Sequence, residues 1–216
     1  MSEEVIADFQ IEPFHNRQSA ISNFKSTMAW AFPMSKIIYI GETISVSVEN
    51  RLQWLNSLPL KVAVQELMKC CGSRRWAEAV AGKRPFHSIE ELNELADTVW
   101  WSLDENDWLE AFRSHPRIGE KTAATTESVQ AQQWSGQEQA GVRDAAADTV
   151  ASLAQLNQEY DAKFGHIFIV CATGKSSNEM LDILRQRLTN DPAEELRIAA
   201  AEQAKITTIR IGRLLA

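Results

Sequence analysis

His115, in Ser114-His115-Pro116-Arg117-Ile118-Gly119, is the residue of this chain best suited to moving protons near neutral pH. Imidazole alone among unperturbed side chains both takes and gives a proton there. The proline ends a helix and Gly119 permits a sharp turn, so the ring is presented at a junction and not along a helix face. The plainer alternative is a histidine at a helix C-terminus, where positive charge is mildly favoured. Glu138 also has two readings. As the fourth residue of Ser135-Gly136-Gln137-Glu138 it fits a capping box, reaching back to the Ser135 N–H. Such a first turn, with free N–H groups and a positive dipole end, also suits a carboxylate or urea-like oxygen. Gln139 adds an amide with both donors and acceptors.

A third candidate is a stretch of backbone. Ile167-Phe168-Ile169-Val170-Cys171 is β-branched and aromatic and sits between Gly165 and Gly174. Its length does not separate a strand from a buried connector. Extended in a helical protein, it would leave N–H and C=O groups without a ladder, and these need partners. A ligand with urea-like edges is one such partner; a short core segment is the alternative.

Other chemistries find little support. His15, His87, His115 and His166 are scattered, with no H-x-x-x-H or H-E-x-x-H pair, so no metal site is expected. Thr173-Gly174-Lys175-Ser176 lacks the upstream glycine of a P-loop. Cys70, Cys71 and Cys171 have neither zinc nor redox spacing and read as buried structural thiols. A net charge of -7 argues against a nucleic-acid surface and gives no long-range pull on an anionic substrate. The longest uninterrupted apolar run, Ile167 to Ala172, is too short for a bilayer, and the acidic start has no signal-peptide pattern. No membrane association and a cytoplasmic location are the expectations.

The elements that must hold these groups are helices. Pro59 leads into Val62, Val64, Leu67 and Met68, which stop at Gly72, and Ser73 opens a short helix ending before Pro85. Ser88-x-x-Glu91 is a capping box, and Asp104 caps a helix that Pro116 ends just after His115. Ser135-x-x-Glu138 reads as a second box, opening a long run through Val150, Leu153 and Tyr160 to Gly165. Ser176 or Ser177 begins the next helix, and Asp191-Pro192 starts the last. Trp100, Trp101 and Trp108 fall at helical spacings and read as core. The pattern predicts an all-α, single-domain helical bundle over residues 51–216. Residues 1–50 lack helical periodicity. There Ile37 to Ile40, Gly41-Glu42 and Thr43 to Val48 resemble a short hairpin, so the segment is expected to be a poorly ordered or hairpin extension.

Together these segments resemble the OHCU (2-oxo-4-hydroxy-4-carboxy-5-ureidoimidazoline) decarboxylase family of uric acid degradation. The resemblance rests on Leu55-Asn56-x-Leu58-Pro59, Cys70-Cys71-Gly72-Ser73-x-Arg75-Trp76, Arg84-Pro85-Phe86 and Asp107-Trp108-Leu109-x-Ala111-Phe112. His115 to Gly119, Trp134-Ser135-x-x-Glu138-Gln139-Ala140-Gly141, and Phe164-Gly165 leading to Phe168 through Ala172 follow in order. The first fifty residues depart from the family pattern and are an extra segment or a misplaced start, with Met28 and Met34 as later alternatives.

The resemblance implies an all-helical enzyme, usually a homodimer, that decarboxylates OHCU to (S)-allantoin without metal or organic cofactor. It places catalysis at His115, with Glu138 orienting the bound ureide. Substrate contacts would fall on Pro116, Ser135, Gln139 and the backbone of Phe168, Ile169, Val170, Cys171 and Ala172. Some relatives carry an arginine just after that segment to help hold the substrate. Here the position is Thr173, with Lys175, Arg117 or helix N–H groups as candidate substitutes. The rivals are another enzyme acting on a hydantoin-like ring and a non-catalytic helical interaction module. Convergence of His115 and Glu138 in one concave site argues for an enzyme, and their separation for the module.

Overall fold

The computed structural model describes residues 39–118, 128–140 and 146–216, with side chains from 47 onward. Regular structure among the described residues is helical: α1 (Tyr39–Ser57), α2 (Leu60–Met68), α3 (Arg74–Ala81), α4 (Ile89–Ser102), α5 (Glu105–Arg113), α6 (Val129–Glu138), α7 (Ala147–Phe164), α8 (Ser177–Arg187) and α9 (Pro192–Leu214). The all-α expectation holds. Several boundaries fall where side-chain caps dictate. Ser73 Oγ accepts from Trp76 N–H, and Asp104 and Asp107 form a reciprocal capping box at α5. Ser176 and Glu179 form another at α8, and Asp191 with Pro192 opens α9. Gly165 closes α7 at φ 73°, a left-handed conformation that glycine adopts without a Cβ penalty.

Two expectations are corrected. Tyr39 to Val48, expected to hold the end of one hairpin strand, the turn and the second strand, is instead the first half of α1; Ile37 and Ile38 lie outside the described residues. β-Branched residues lower helix propensity only slightly. Here Val48, Leu52 and Leu55, at i, i+4 and i+7, seat the helix on the core. Ser135-x-x-Glu138 is likewise not a capping box. Both residues lie in the last turn of α6, whose N-cap is Ser128, while α7 begins at Ala147 with no side-chain cap.

The core divides into two clusters. One gathers α1 to α5 with α9, around Leu55, Leu67, Trp76, Phe112 and Ile211. The other gathers α7 and α8, around Leu153, Tyr160, Met180 and Leu184. Trp101 is exposed, against the core reading, whereas Trp76, Trp100 and Trp108 are buried core, and each of these three indole N–H groups also tethers an element. Trp76 donates to Ala96 O (2.9 Å), Trp100 to Ala200 O (2.9 Å) and Trp108 to Trp100 O (3.1 Å). The three cysteines are buried free thiols, and burial pushes the Cys71 thiol up to about 12.

Between the clusters runs the segment Ile167 to Ala172, extended and without a strand partner. Its side chains alternate: Ile169 and Cys171 pack into the first core, Phe168, Val170 and Ala172 into the second. That period of two is the geometry of a strand, here used as a seam.

Candidate active site

Helix α5 delivers His115. Its last turn closes with Ser114 N–H donating to Ala111 O (3.1 Å) and His115 N–H to Phe112 O (3.0 Å), and Pro116 then stops the helix. The turn is held from outside by Gly72. A Cβ there would fall 2.2 Å from Ser114 Oγ and 2.4 Å from Ser114 Cβ, so only glycine admits this approach.

His115 lines one narrow cleft with Pro116, Ser135, Glu138 and Gln139. The opposite wall is Phe168, Ile169, Val170 and Ala172. His115 and Glu138 therefore converge, the arrangement expected of an enzyme. Ile118 and Ile206, not anticipated from the sequence, complete the lining, while Cys171 turns its side chain into the first core. A wider groove beside α2, α3 and α5 holds Lys61, Glu78 and Arg113, which are exposed and mixed in charge. Size does not decide between the two; the smaller cleft has the buried, convergent groups.

The imidazole is half-buried as a whole, but its Nε2 is enclosed and makes no hydrogen bond. Burial first, and then the Arg210 guanidinium, pushes His115 down to about 3, against an opposing contribution from the Gln203 side chain. The ring is neutral at pH 7, as a general base requires. Stability carries the same signature. A histidine that folds with a lowered pKa is protonated more readily unfolded, so its contribution is complete above pH 6.5 and declines as pH falls toward 3. His166, enclosed by Phe112, Tyr160 and Phe164, is lowered by burial and acts with the same sign. Urea midpoints taken from pH 7.5 down to pH 4.5 will fall. His115→Asn will flatten the decline by up to about 1.4 kcal/mol per pH unit, the limit for one proton. Parallel curves for the two proteins would show that His115 is not buried neutral.

Glu138 does not present a free carboxylate. Arg210 grips it with both ends of its fork, Nε to Oε1 (3.1 Å) and Nη2 to Oε2 (3.0 Å), and Arg213 adds Nη1 to Oε1 (2.9 Å). Arg210 Nη2 also donates to Ser135 Oγ (2.8 Å). Two guanidinium groups thus converge on one carboxylate behind this wall of the cleft. Arg210 and Arg213 were missed from sequence because polar residues on a long helix read as surface. A helical projection would have flagged Arg210. With Gln203 and Thr207 it falls in the same arc as Ala199, Ala200, Ile206, Ile211 and Leu214, and all eight are buried. The expected substitutes for an arginine at Thr173 are committed elsewhere. Arg117 pairs with Asp161, and Lys175 Nζ donates to Cys171 O (2.7 Å). Thr173 itself is exposed.

The seam segment is clamped along one edge. Arg187 Nη1 donates to Ile169 O (2.6 Å), Glu202 Oε2 accepts from Cys171 N–H (2.7 Å), and Lys175 holds Cys171 O. Arg187 is itself fixed by Glu195, to which Tyr160 and Asn190 also donate. In an extended chain the groups of residues i and i+1 point to opposite edges. Val170 therefore turns its N–H and C=O away from the clamp, and neither makes a hydrogen bond, although the residue is buried.

Among the described residues no cluster of His, Cys, Asp or Glu could hold a metal, and no helix is long and apolar enough to cross a membrane. Comparison with known proteins gives a coherent result. The sequence pattern of the OHCU decarboxylase family matches residues 56–212. The uric acid degradation bifunctional protein TTL of Arabidopsis thaliana is 35% identical over 157 residues, which are 73% of this chain and 48% of that protein. The chain thus spans about half the length of this relative. The 2-oxo-4-hydroxy-4-carboxy-5-ureidoimidazoline decarboxylase of Xenopus laevis is 33% identical over 134 residues, covering 62% of this chain and 75% of the relative. A crystal structure of OHCU decarboxylase in the presence of (S)-allantoin superposes with a TM-score of 0.60 at 36% identity, covering 69% of this chain and 96% of that one.

Proposed function

The chain belongs to the OHCU decarboxylase family, and from that premise we propose that it decarboxylates OHCU to (S)-allantoin, with His115 moving the proton. In OHCU the ring carbon bearing the hydroxyl and the carboxylate lies beside a C=N bond. The C–C bond to the carboxylate breaks, CO2 leaves, and the electron pair moves toward that C=N, whose nitrogen takes up a proton from solvent. The hydroxyl then loses its proton to become a carbonyl, and the neighbouring carbon, which carries the ureido group, gains one. Because the substrate holds its own electron sink, the scheme calls on no cofactor. The protein supplies orientation, exclusion of water and one-sided proton transfer.

Neutral His115 accepts the hydroxyl proton and returns it to the adjacent carbon from one face, which sets the configuration. Arg210 and Arg213 bring cationic side chains to this wall of the cleft, a local attraction for the substrate carboxylate that the acidic protein as a whole does not provide. Ser135 Oγ already accepts from Arg210, so its own proton is free to be donated. Val170 N–H and C=O meet a ureido edge as a donor–acceptor pair, with Pro116 and Gln139 closing the opposite side. The observation that carries the reading is this buried, unmet Val170 pair facing the cleft of a neutral histidine. The same reading takes residues 51–216 as the catalytic domain, residues 1–50 as an extension, and a cytoplasmic homodimer as the working form.

The test is optical. OHCU is generated from urate by the two preceding enzymes, the protein is added, and circular dichroism follows the product. Rapid growth of one allantoin enantiomer is expected. A signal that only tracks spontaneous decay to racemate, with folded protein present, would overturn the assignment.

A further inference from the structure

Gln203 lies on the buried arc of α9, one turn before Thr207 and two before Arg210, and is fully buried. The orientation of its amide follows from its neighbours. Thr207 Oγ1 donates its proton to Gln203 O (3.0 Å), so it meets the Gln203 side chain as an acceptor, and Nε2 of that amide donates to it (3.2 Å). Oε1 must then be the outward acceptor, and it has no partner. The His115 ring, which the Gln203 side chain abuts, has the complementary deficit, because its enclosed Nε2 also lacks a partner. Two adjacent buried polar atoms, one an acceptor and the other able to carry a proton, each cost free energy while unpaired, and one hydrogen bond satisfies both.

We propose that Gln203 is the positioning residue of the catalytic histidine: its Oε1 accepts from His115 Nε2–H and so fixes the tautomer in which Nδ1 is the base. Nδ1 forms no hydrogen bond yet is not enclosed, so it is the nitrogen left open for substrate. A neutral acceptor suits this place. It selects one tautomer without the large pKa rise a carboxylate would bring, and leaves the base uncharged beside Arg210. The charged groups near the ring are Arg210, on the same helix as Gln203, and Glu138 of α6, which lines the same cleft. This inference rests on the decarboxylase reading for the role of His115, but the tautomer itself is independent of it.

The experiment therefore reads the ring first. Long-range 1H–15N correlation on the labelled protein at pH 7.5 is expected to show His115 as a single Nε2–H tautomer, and a ring protonated at Nδ1 would overturn the proposal whatever the activity. In Gln203→Leu the Nε2–H preference should be lost. The kcat of decarboxylation should fall about tenfold with KM little changed, the scale of one neutral hydrogen bond. In Gln203→Glu the Nε2–H form should return, and the acid limb of the pH–rate profile should move upward, because a carboxylate favours the imidazolium. A substitution that merely loosened packing would move neither tautomer nor profile. An unchanged His115 tautomer in folded Gln203→Leu, or an unmoved acid limb in Gln203→Glu, counts against the proposal. If no turnover of OHCU occurs in the wild type while the Nε2–H tautomer is present, the decarboxylase reading fails and the positioning contact stands.

Discussion

His115→Ala leaves a folded protein whose turnover of OHCU falls by about 10²–10⁴-fold, the range for loss of a positioned general acid–base group. The fold survives because the ring does little structural work. Its one polar contact is with the neutral Gln203 amide, so removal leaves at most a single uncharged acceptor unpaired. The helix end that presents it is held by backbone contacts at Ser114 and by Gly72, not by the imidazole. Activity falls because, among the described residues, the cleft holds no second neutral base: Glu138 is bound by two arginines, and Gln139 does not titrate. Unaltered far-UV circular dichroism, with allantoin formed at the spontaneous rate and as racemate, is the expected pair of results. Near-normal turnover would remove His115 from the mechanism.

The second large effect is on stability. Arg210→Met should cost about 3–5 kcal/mol, the usual consequence of removing one partner of a buried ion pair. Arg210 is 1% exposed and supplies two of the three hydrogen bonds that described residues make to the Glu138 carboxylate, as well as one to Ser135. Without it Glu138 keeps Arg213, whose side chain is 27% exposed and better screened. For that reason Arg213→Met should cost no more than about 1 kcal/mol. The contrast separates burial from charge, since both changes delete one guanidinium facing one carboxylate. Adding Glu138→Leu to Arg210→Met should recover part of the loss, because the stranded charge is then gone. Urea unfolding measures all three. A cost below about 1 kcal/mol for Arg210→Met would mean that the site does not depend on this pair. Against a typical total of 5–15 kcal/mol, the expected loss is a large fraction.

The sequence announced its helices through local chemistry, and its failures were tertiary. Asp104 and Asp191-Pro192 mark helix starts by satisfying nearby N–H groups, an interaction complete within four residues. Ser135-x-x-Glu138 carries the same local sign, but three residues is also the spacing that sets two side chains on one face of a helix. What separates the two meanings is Arg210, 72 residues from Glu138, and no local pattern announces it. Of the seven motifs of the family resemblance, the three around His115, Ser135 and Phe168 line the cleft, while the other four supply buried core residues such as Leu55, Trp76, Phe86 and Phe112. They did not reveal what holds that cleft from behind: Gln203, Arg210, Arg187 and Glu202 all act on a site residue and not on its lining. The start of α1 failed for the opposite reason. Its residues locally favour an extended chain, and the core contacts of Leu52 and Leu55 prevail.

The seam segment has a consequence for how this protein can change. Its side chains answer to two packed cores while its backbone is steered from outside, so a change of side chain at positions 168–172 alters packing before it alters what the main chain of Val170 can bind. On the proposed role of Val170, recognition by peptide groups is insulated from sequence drift at positions 168–172. Sensitivity passes instead to Arg187, Glu202 and Lys175, whose side chains set the angle at which the peptide edge is offered. The same proposal has substrate range retuned from the rear, by residues outside the cleft lining.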